Sequence, residues 1–567
     1  MVHVLLKVRT LWRLLKWRAS FGRFNLDSRP DTANPKFMTA RDAVRLIPDN
    51  ACVMSTGMTG TMRPAILYRA VRVRFAETGH PKNLTWVTAG GAGGRGRVPG
   101  TVEEVGVAGL TTRFISGHLE TARSLLDLGE RGQCMLSVLP QGTIAHLAEA
   151  QARGEDSVLT KVGVGSFMDP RVGAGSQVVP GVGEQLVTPE GDKLRYRMPP
   201  VTAACVIGTM ADDDGNIYMT DAGILAETRE AARAARKNDG VVICTVARIT
   251  PRDDAQIFLH TEEVDAIVVN ATNELSATIP QLKPWRELLP GSKADVNAAT
   301  LRIKMLNDLM KLDPARGPVQ QVLARQAASL FSHTVRPGSK VIVGYGLPQE
   351  VGRQIERGGL SHDITFLLET GVYGGIPAPG IFFGLAVNPE RLMSSAEMFR
   401  YCETNLDATI LGALQVDSDG NVNVSKKAPG AKNYIGPGGF LNLVASAKTI
   451  IFVGAFTARG RIEIVDGKLL VKEAGTPKFV ERVDEVTFAA KEAYAAGKKV
   501  YYVTPLGTFR LTARGLELFE IAPGVDVERD IKANSRATIH LPESTGIEVI
   551  DSSVITGRGF SLRWGTR

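Results

Sequence analysis

A glutamate stands where a buried strand should end. The run from Ile364 to Leu368 (ITFLL) is apolar, and Glu369, Thr370 and Gly371 follow it without a break. A carboxylate emerging from such a run must be either stabilised or used. Burial alone raises its pKa and favours the protonated form, so backbone amides or a basic neighbour must compensate if it is to act as a nucleophile. The residues themselves leave two readings: a functional carboxylate, or a structural acid at a strand end. The 59 glycines exceed an average share and gather in short clusters after apolar runs, where backbone can approach a ligand. Gly374 and Gly375 form one such cluster, and Gly436, Gly438 and Gly439 another. Asn421 and Asn423, in DGNVNVS, are candidates to hydrogen-bond near a reacting carboxylate, although D-G-N also reads as an ordinary turn.

Other chemistries find little support. No grouping of serine, histidine and aspartate is defensible from spacing, and His118 and His146 read as packing or inter-domain residues. Cys52, Cys134, Cys205, Cys244 and Cys402 are scattered singly, none with a partner at metal-ligand spacing. They read as buried structural thiols in a reducing compartment, and no metal is expected. The formal charge of +8 has a local source, because residues 1–24 contain Lys7, Arg9, Arg13, Lys16, Arg18 and Arg23 and no acid. The rest is near balance, with no zinc-finger spacing, recognition helix or basic stripe, so no nucleic-acid partner is expected. Val4, Leu5, Val8, Leu11, Trp12 and Leu15 share one helical face, with Arg9, Arg13 and Lys16 on another. Residues 4–24 fit an interfacial or partner-binding helix, a cleavable targeting segment, or a frayed extension. They are too short and too charged to span a bilayer. The expected location is the cytoplasm, with organelle targeting or peripheral membrane attachment through this segment as the alternative.

The elements that must position Glu369 follow from length and periodicity. A chain of 567 residues is too long for one ordinary core. From Thr39 to about Asn270, short β-branched runs (Cys52 to Ser55, Leu84 to Val87, Ala203 to Ile207, Val241 to Thr245) alternate with helix-forming stretches such as 225–238. A proline-bearing passage near 273–294, with Pro280, Pro284 and Pro290, separates this half from a second, which opens on a helix at about Pro318 to Phe331. Three stretches of the first half have counterparts in the second, in the same order: 50–60 with 338–348, 84–94 with 364–375, and 204–220 with 408–425. The expectation is an α/β fold made of two homologous domains with largely parallel sheets flanked by helices. The boundaries are a basic extension at 1–36, domains at 37–296 and 297–545, and a tail at 546–567. In the second counterpart pair Ala89 stands near the position of Glu369, so only the second copy has the acid.

These residues carry a specific resemblance. The chain resembles the family I coenzyme A transferases, in particular the long single-chain type acting on acyl-CoA with acetate, propionate or a 3-keto acid. FAETGHPKNLTWV (75–87), SVLPQGTIAHL (137–147) and LTKVGVGSFMDPR (159–171) carry it in the first half. VGYGLP (343–348), ETGVYGGIPAPG (369–380), DSDGNVNVSK (417–426), IGPGGF (435–440) and the closing run at 510–531 carry it in the second. The resemblance implies that Glu369, the acid of an E-x-G-x-x-G-G stretch, attacks an acyl-CoA thioester. An acyl anhydride and then a glutamyl-CoA thioester would follow in a ping-pong cycle. It implies that Gly374, Gly375, Gly438 and Gly439 line the thioester end of the coenzyme site and supply amide donors to the oxyanion. It further implies coenzyme A and acyl-CoA as substrates, no tightly bound cofactor, and a homo-oligomer. The sequence departs from the family at Glu403 to Asp407, where a glycine-rich run is usual, and at Thr61, Met62 and Arg63 before Pro64. Both departures leave the nucleophile and put the identity of the acids in question. An acyl-CoA hydrolase using the same glutamate, or a non-catalytic CoA-binding protein, are the alternatives.

Overall fold

The computed structural model describes residues 22–94, 98–273, 285–311, 313, 315–543 and 546–565, together with Val8, Leu11, Trp12, Leu15 and Ala19. Half of the proline-bearing passage, with Pro280 and Pro284, lies outside the described residues, as do Val4, Leu5 and the basic positions from Lys7 to Arg18. The five described residues before position 22 are helical and exposed. Among the described residues no helix is long and apolar enough to cross a membrane.

The first half is built on seven strands: β1 (Cys52–Ser55), β2 (Leu84–Thr88), β3 (Thr111–Ser116), β4 (Met135–Val138), β5 (Ala203–Ile207), β6 (Val241–Val246) and β7 (Ala266–Val269). They lie in the order β7-β6-β5-β1-β2-β3-β4, and every pairing is parallel. β1 and β5 are buried along their whole length, as uniformly apolar strands covered on both faces must be. The covering helices include α1 (Ala65–Thr78), α2 (Arg123–Glu130), α3 (Gln141–Ala152) and α4 (Thr228–Lys237). The helix expected at 225–238 thus starts at Thr228, because Ala226 adopts a left-handed φ of 52° that no α-helix accommodates.

After α5 (Val296–Met310) and α6 (Pro318–Thr334), the second half adds α7 (Leu347–Arg357) and a main sheet of ten strands. These are β8 (Lys340–Val343), β9 (Thr365–Leu367), β10 (Val372–Tyr373), β11 (Arg391–Leu392), β12 (Ala408–Gly412), β13 (Thr449–Val453), β14 (Lys499–Val503), β15 (Gly507–Thr512), β16 (Gly515–Ile521) and β17 (Glu548–Val549). Their order is β11-β10-β9-β8-β12-β13-β14-β15-β16-β17. The stretch from β9 to β14 is the parallel sheet expected; β10 and β11 on one side and β15 and β16 on the other extend it antiparallel, and β17 pairs in parallel with β16. The sheet is therefore mixed, and the reason is local. Tight connections at 368–371 and 504–506 turn the chain straight back on itself, whereas a parallel neighbour needs a long crossover. Two further helices, α8 (Ser395–Asn405) and α9 (Phe440–Ser446), complete the part that matters for the site.

The strand orders β7-β6-β5-β1-β2 and β14-β13-β12-β8-β9 correspond place for place, and the three sequence counterparts fall on β1 and β8, β2 and β9, β5 and β12. The segment expected as a tail packs on the second half: β17 pairs with β16, Leu562 is buried, and Trp564 Nε1 donates to Asp363 Oδ2 at 2.8 Å. Apolar packing joins the halves: one cluster has Met58, Met62 and Ile207 from the first and Leu368, Val372 and Phe382 from the second, and the first-half core takes in Tyr434 and Leu441. All five cysteines are buried and unpaired.

Candidate active site

β9 delivers Glu369 into a tight turn between itself and β10. The Leu368 amide donates to the Val372 carbonyl and the Gly371 amide to the Leu368 carbonyl, each at 2.9 Å. Gly371 takes a φ of 99°, and a Cβ there would lie 1.9 Å from the Met393 carbonyl oxygen, so the turn requires glycine. Thr370 Oγ1 donates to the Gly384 carbonyl at 2.6 Å, which fixes the other side. Glu369 is thus held rigidly by its backbone while its carboxylate has no hydrogen-bond or ion-pair partner among the described residues. Half-buried at this turn and given no compensating donor, the acid has its pKa pushed up to about 7 by the loss of surrounding water.

The carboxylate lies against a glycine. A Cβ on Gly439 would sit 2.1 Å from Glu369 Oε2 and 3.1 Å from Phe399 of α8. The loop bearing Gly438 and Gly439 is tied to the first half. The Gly438 amide donates to the Gly117 carbonyl at 2.7 Å, and the Gly438 carbonyl accepts from the Gln141 amide at 2.9 Å. Leu119 donates to Ile435 at 2.8 Å, and the Gly142 amide, one residue past the start of α3, donates to Asn442 Oδ1 at 3.0 Å. The acid from one half and the glycine loop beside it therefore meet at the junction of the two. Gly117 and Gln141 were not singled out by the sequence, although Gln141 lies in the segment 137–147 that carries the family resemblance.

The remaining candidates are placed differently. Gly374 and Gly375 stand at the far end of β10 from Glu369, with φ of 75° and 77°. The left-handed φ favours glycine at both positions; Cβ atoms there would also meet the Glu390 carboxyl and the Val387 carbonyl, both at 2.5 Å, and only the second is fixed backbone. Asn421 closes a turn: its amide donates to Asp417 Oδ1 at 2.9 Å and its Nδ2 to Asp417 Oδ2 at 3.1 Å. Asn216 makes the same pair of bonds to Asp212 in the first half, at 2.9 Å each. Asn423 is fully buried; its Oδ1 accepts from Ser425 and Lys426, and the Ser425 carbonyl accepts from Ile435 and Gly436. It thus holds the segment leading into the glycine loop. His146 Nε2 donates to the Ala396 carbonyl at 3.1 Å, an inter-half bond, and burial lowers the pKa of both His146 and His118. Cys402 is pushed up to about 12 by burial, with the Glu369 and Glu403 charges adding to it, and so offers no competing thiolate. Among the described residues no group of His, Cys, Asp and Glu could hold a metal ion.

Comparison with known proteins decides the family. The chain is 33% identical over 542 residues to caffeate CoA-transferase of Acetobacterium woodii, a match covering 93% of this chain and 98% of that protein. The chain belongs to the family I coenzyme A transferases. It is an enzyme whose general chemistry is CoA transfer. This transferase is also 30% identical over 504 residues to acetate CoA-transferase YdiF of Escherichia coli K12, covering 87% of the chain and 90% of that protein. The crystal structure of the YdiF apoenzyme from Escherichia coli O157:H7 superposes with a TM-score of 0.79 at 26% identity, over 93% of this chain and 98% of that one. A thioester complex of YdiF with CoA superposes with a TM-score of 0.78. No family model matches the chain.

The two departures of this transferase from the family pattern have structural explanations. Glu403, Thr404 and Asn405 form the last turn of α8, with Glu403 and Thr404 exposed and Asn405 Nδ2 bonded to the Tyr401 carbonyl at 2.9 Å. Side chains in place of glycine continue the helix. Met62 and Arg63 are buried, Met62 at a φ of 54°, in a loop that Gly57 allows to close: a Cβ on Gly57 would lie 2.1 Å from the Met62 carbonyl oxygen.

Proposed function

We propose that the enzyme moves coenzyme A from an acyl-CoA to a short-chain or keto carboxylic acid, with Glu369 as the nucleophile in a ping-pong cycle. The observation that carries the reading is an unpartnered carboxylate of raised pKa, set against the bare Cα of Gly439 at the junction of the two halves. Attack by Glu369 on the thioester carbonyl forms the new C–O bond and breaks C–S, giving an acyl-glutamyl anhydride and CoA thiolate. The thiolate attacks the Glu369 carbonyl and expels the first acid as its carboxylate, leaving a glutamyl-CoA thioester. An incoming carboxylate attacks that thioester and expels the thiolate again. The thiolate then takes the new acyl group and frees Glu369. Amides of Gly438 and Gly439 stabilise the oxyanions, Gly374 and Gly375 line the coenzyme site, and Asn421 and Asn423 hold the segment that aims the glycine loop. Coenzyme A enters and leaves as substrate, with no tightly bound cofactor.

The matched strand orders and ordered sequence counterparts support two homologous domains, at about 37–296 and 297–545. The second domain carries the acid. We further read the protein as a cytoplasmic homo-oligomer whose residues 4–24 contact a membrane surface or partner. Exposure of Val8, Leu11, Trp12 and Leu15 supports the last point.

Peptide mass spectrometry after incubation with acetyl-, propionyl-, acetoacetyl- and caffeoyl-CoA tests the mechanism. A CoA adduct on the Glu369 peptide, or its borohydride- or hydroxylamine-trapped form, is expected, discharged by added carboxylate with formation of a new acyl-CoA. Free acid and CoA without acceptor would point to hydrolysis. No adduct across the panel would point to a binding protein.

The raised pKa gives a second test. Glu369 must be ionised to attack, so kcat/KM for acyl-CoA is expected to rise with pH through about 7 and then level off. Stability runs the other way. The folded state holds the Glu369 proton between the ordinary 4.5 and about 7, where the unfolded chain has already lost it. This contribution is present below 4.5 and is lost as pH rises through 7. Glu369→Gln is therefore expected to be more stable than the parent at pH 8, by at most about 3 kcal/mol, and equal to it at pH 4. Denaturant titrations at the two pH values read the difference.

A further inference from the structure

Linked to the Glu369 turn through residues 393–395 lies a pair of buried acids that the transfer chemistry leaves unused. Glu227 and Glu230 stand at the start of α4 in the first half, 3% and 8% exposed. Glu227 Oε2 accepts from the Ser395 hydroxyl of the second half at 2.8 Å, and the Ser395 amide donates to the Ala226 carbonyl at 2.8 Å. Ala226 holds a left-handed φ of 52°, a conformation unfavourable for a non-glycine residue, and its carbonyl accepts from Ser395. Ser394 lies against Glu230 and caps α8, its Oγ accepting from the Glu397 amide at 3.2 Å. Glu227 Oε1 and Glu230 Oε2 are buried and without a partner among the described residues.

The grip reaches the nucleophile by two short routes. Met393, next to Ser394, donates its amide to the Gly371 carbonyl at 2.8 Å, and its own carbonyl fills the space that a Gly371 Cβ would take. Gly371 closes the turn that bears Glu369. The helix that Ser394 caps also carries Phe399, which packs beside Gly439, and Cys402, whose thiol feels the Glu369 charge. We propose that Glu227 and Glu230, with Ser394 and Ser395, form a clasp between the halves that positions Glu369, making the two acids positioning residues for CoA transfer. Burial pushes the Glu227 carboxyl up to about 8, so at neutral pH it is a neutral group that accepts from Ser395 without an uncompensated charge.

The inference rests on Glu369 being the nucleophile. Its test is the rate at which the Glu369 adduct forms, together with kcat, KM and melting temperature, in Glu227→Leu, Glu227→Gln and Ser395→Ala. Leu removes the acceptor at similar volume; Gln keeps it. Glu227→Leu is expected to slow adduct formation and kcat together by tenfold or more with KM for acyl-CoA unchanged. Glu227→Gln should retain at least a third of the parent rate, and Ser395→Ala should slow both steps severalfold even if the Leu variant does not fold. Lower melting temperature with unchanged adduct rate in Ser395→Ala, or equal losses in the Gln and Leu variants, would overturn the clasp. Absence of any adduct on Glu369 in the parent enzyme would instead overturn the reading beneath it.

Discussion

Replacing Glu369 by alanine is expected to lower transferase turnover by about ten-thousand-fold or more, the scale seen when a covalent nucleophile is removed from an otherwise intact site. The loss should appear in kcat and kcat/KM alike, because an interaction made on the way to the transition state disappears while coenzyme binding elsewhere persists. The variant should fold, since the Leu368–Gly371 turn is closed by backbone hydrogen bonds and the carboxylate has no partner whose loss would be felt. Steady-state assay of acyl-CoA and acid exchange, with mass spectrometry of the 369 peptide, reads both consequences. Turnover within tenfold of the parent enzyme would show that another group takes the acyl chain, and the mechanism proposed above would fall.

Gly439→Ala is expected to lower kcat by about a hundredfold, which is what a misplacement near 1 Å costs at a reacting centre. The backbone of Gly439, with φ of −81° and ψ of −4°, is open to any residue, so backbone strain adds nothing. The whole effect comes from the added methyl, 2.1 Å from Glu369 Oε2. The loop cannot easily retreat, because Gly438 is bonded to Gly117 and Gln141 at the junction. The carboxylate must move instead. KM for acyl-CoA should change much less than kcat, and the Glu369 adduct should still form, slowly. An unchanged kcat would mean that Glu369 reaches the thioester from a rotamer that does not touch Gly439, which would remove this glycine from the site.

Several features were legible before any coordinates because they depend on local chemistry. Strands β1, β2, β5 and β6 fall where β-branched runs predict them, within a residue or so at each end, because strands buried on both faces need nothing but apolar side chains. The five cysteines are buried and unpaired as their apolar settings suggest. The mixed character of the second sheet was not legible. Two-residue strands such as β10 and β11 leave almost no periodic signal, and their antiparallel pairing is set by turns whose closure depends on contacts distant in sequence. The two asparagines show the same division. The D-G-N turn that engages Asn421 is local and readable, whereas the bond chain from Asn423 through Ser425 to the glycine loop is not.

The sequence by itself singled out the group proposed here as the nucleophile: a glutamate at the end of an apolar strand, with alanine near the matching position of the first half, within motifs that carry the family resemblance. It also offered the glycine clusters as candidates to lie near that acid. Only the tertiary structure decided which of them touches it. Gly439 meets Glu369 although 70 residues separate them in the numbering of the chain, while Gly374 and Gly375, far nearer in sequence, sit at the other end of β10. The raised pKa of Glu369 and the buried clasp at Glu227 and Glu230 were likewise decided by packing. Desolvation depends on what surrounds a carboxyl group, and those surroundings come from two halves of the chain that no local pattern brings together.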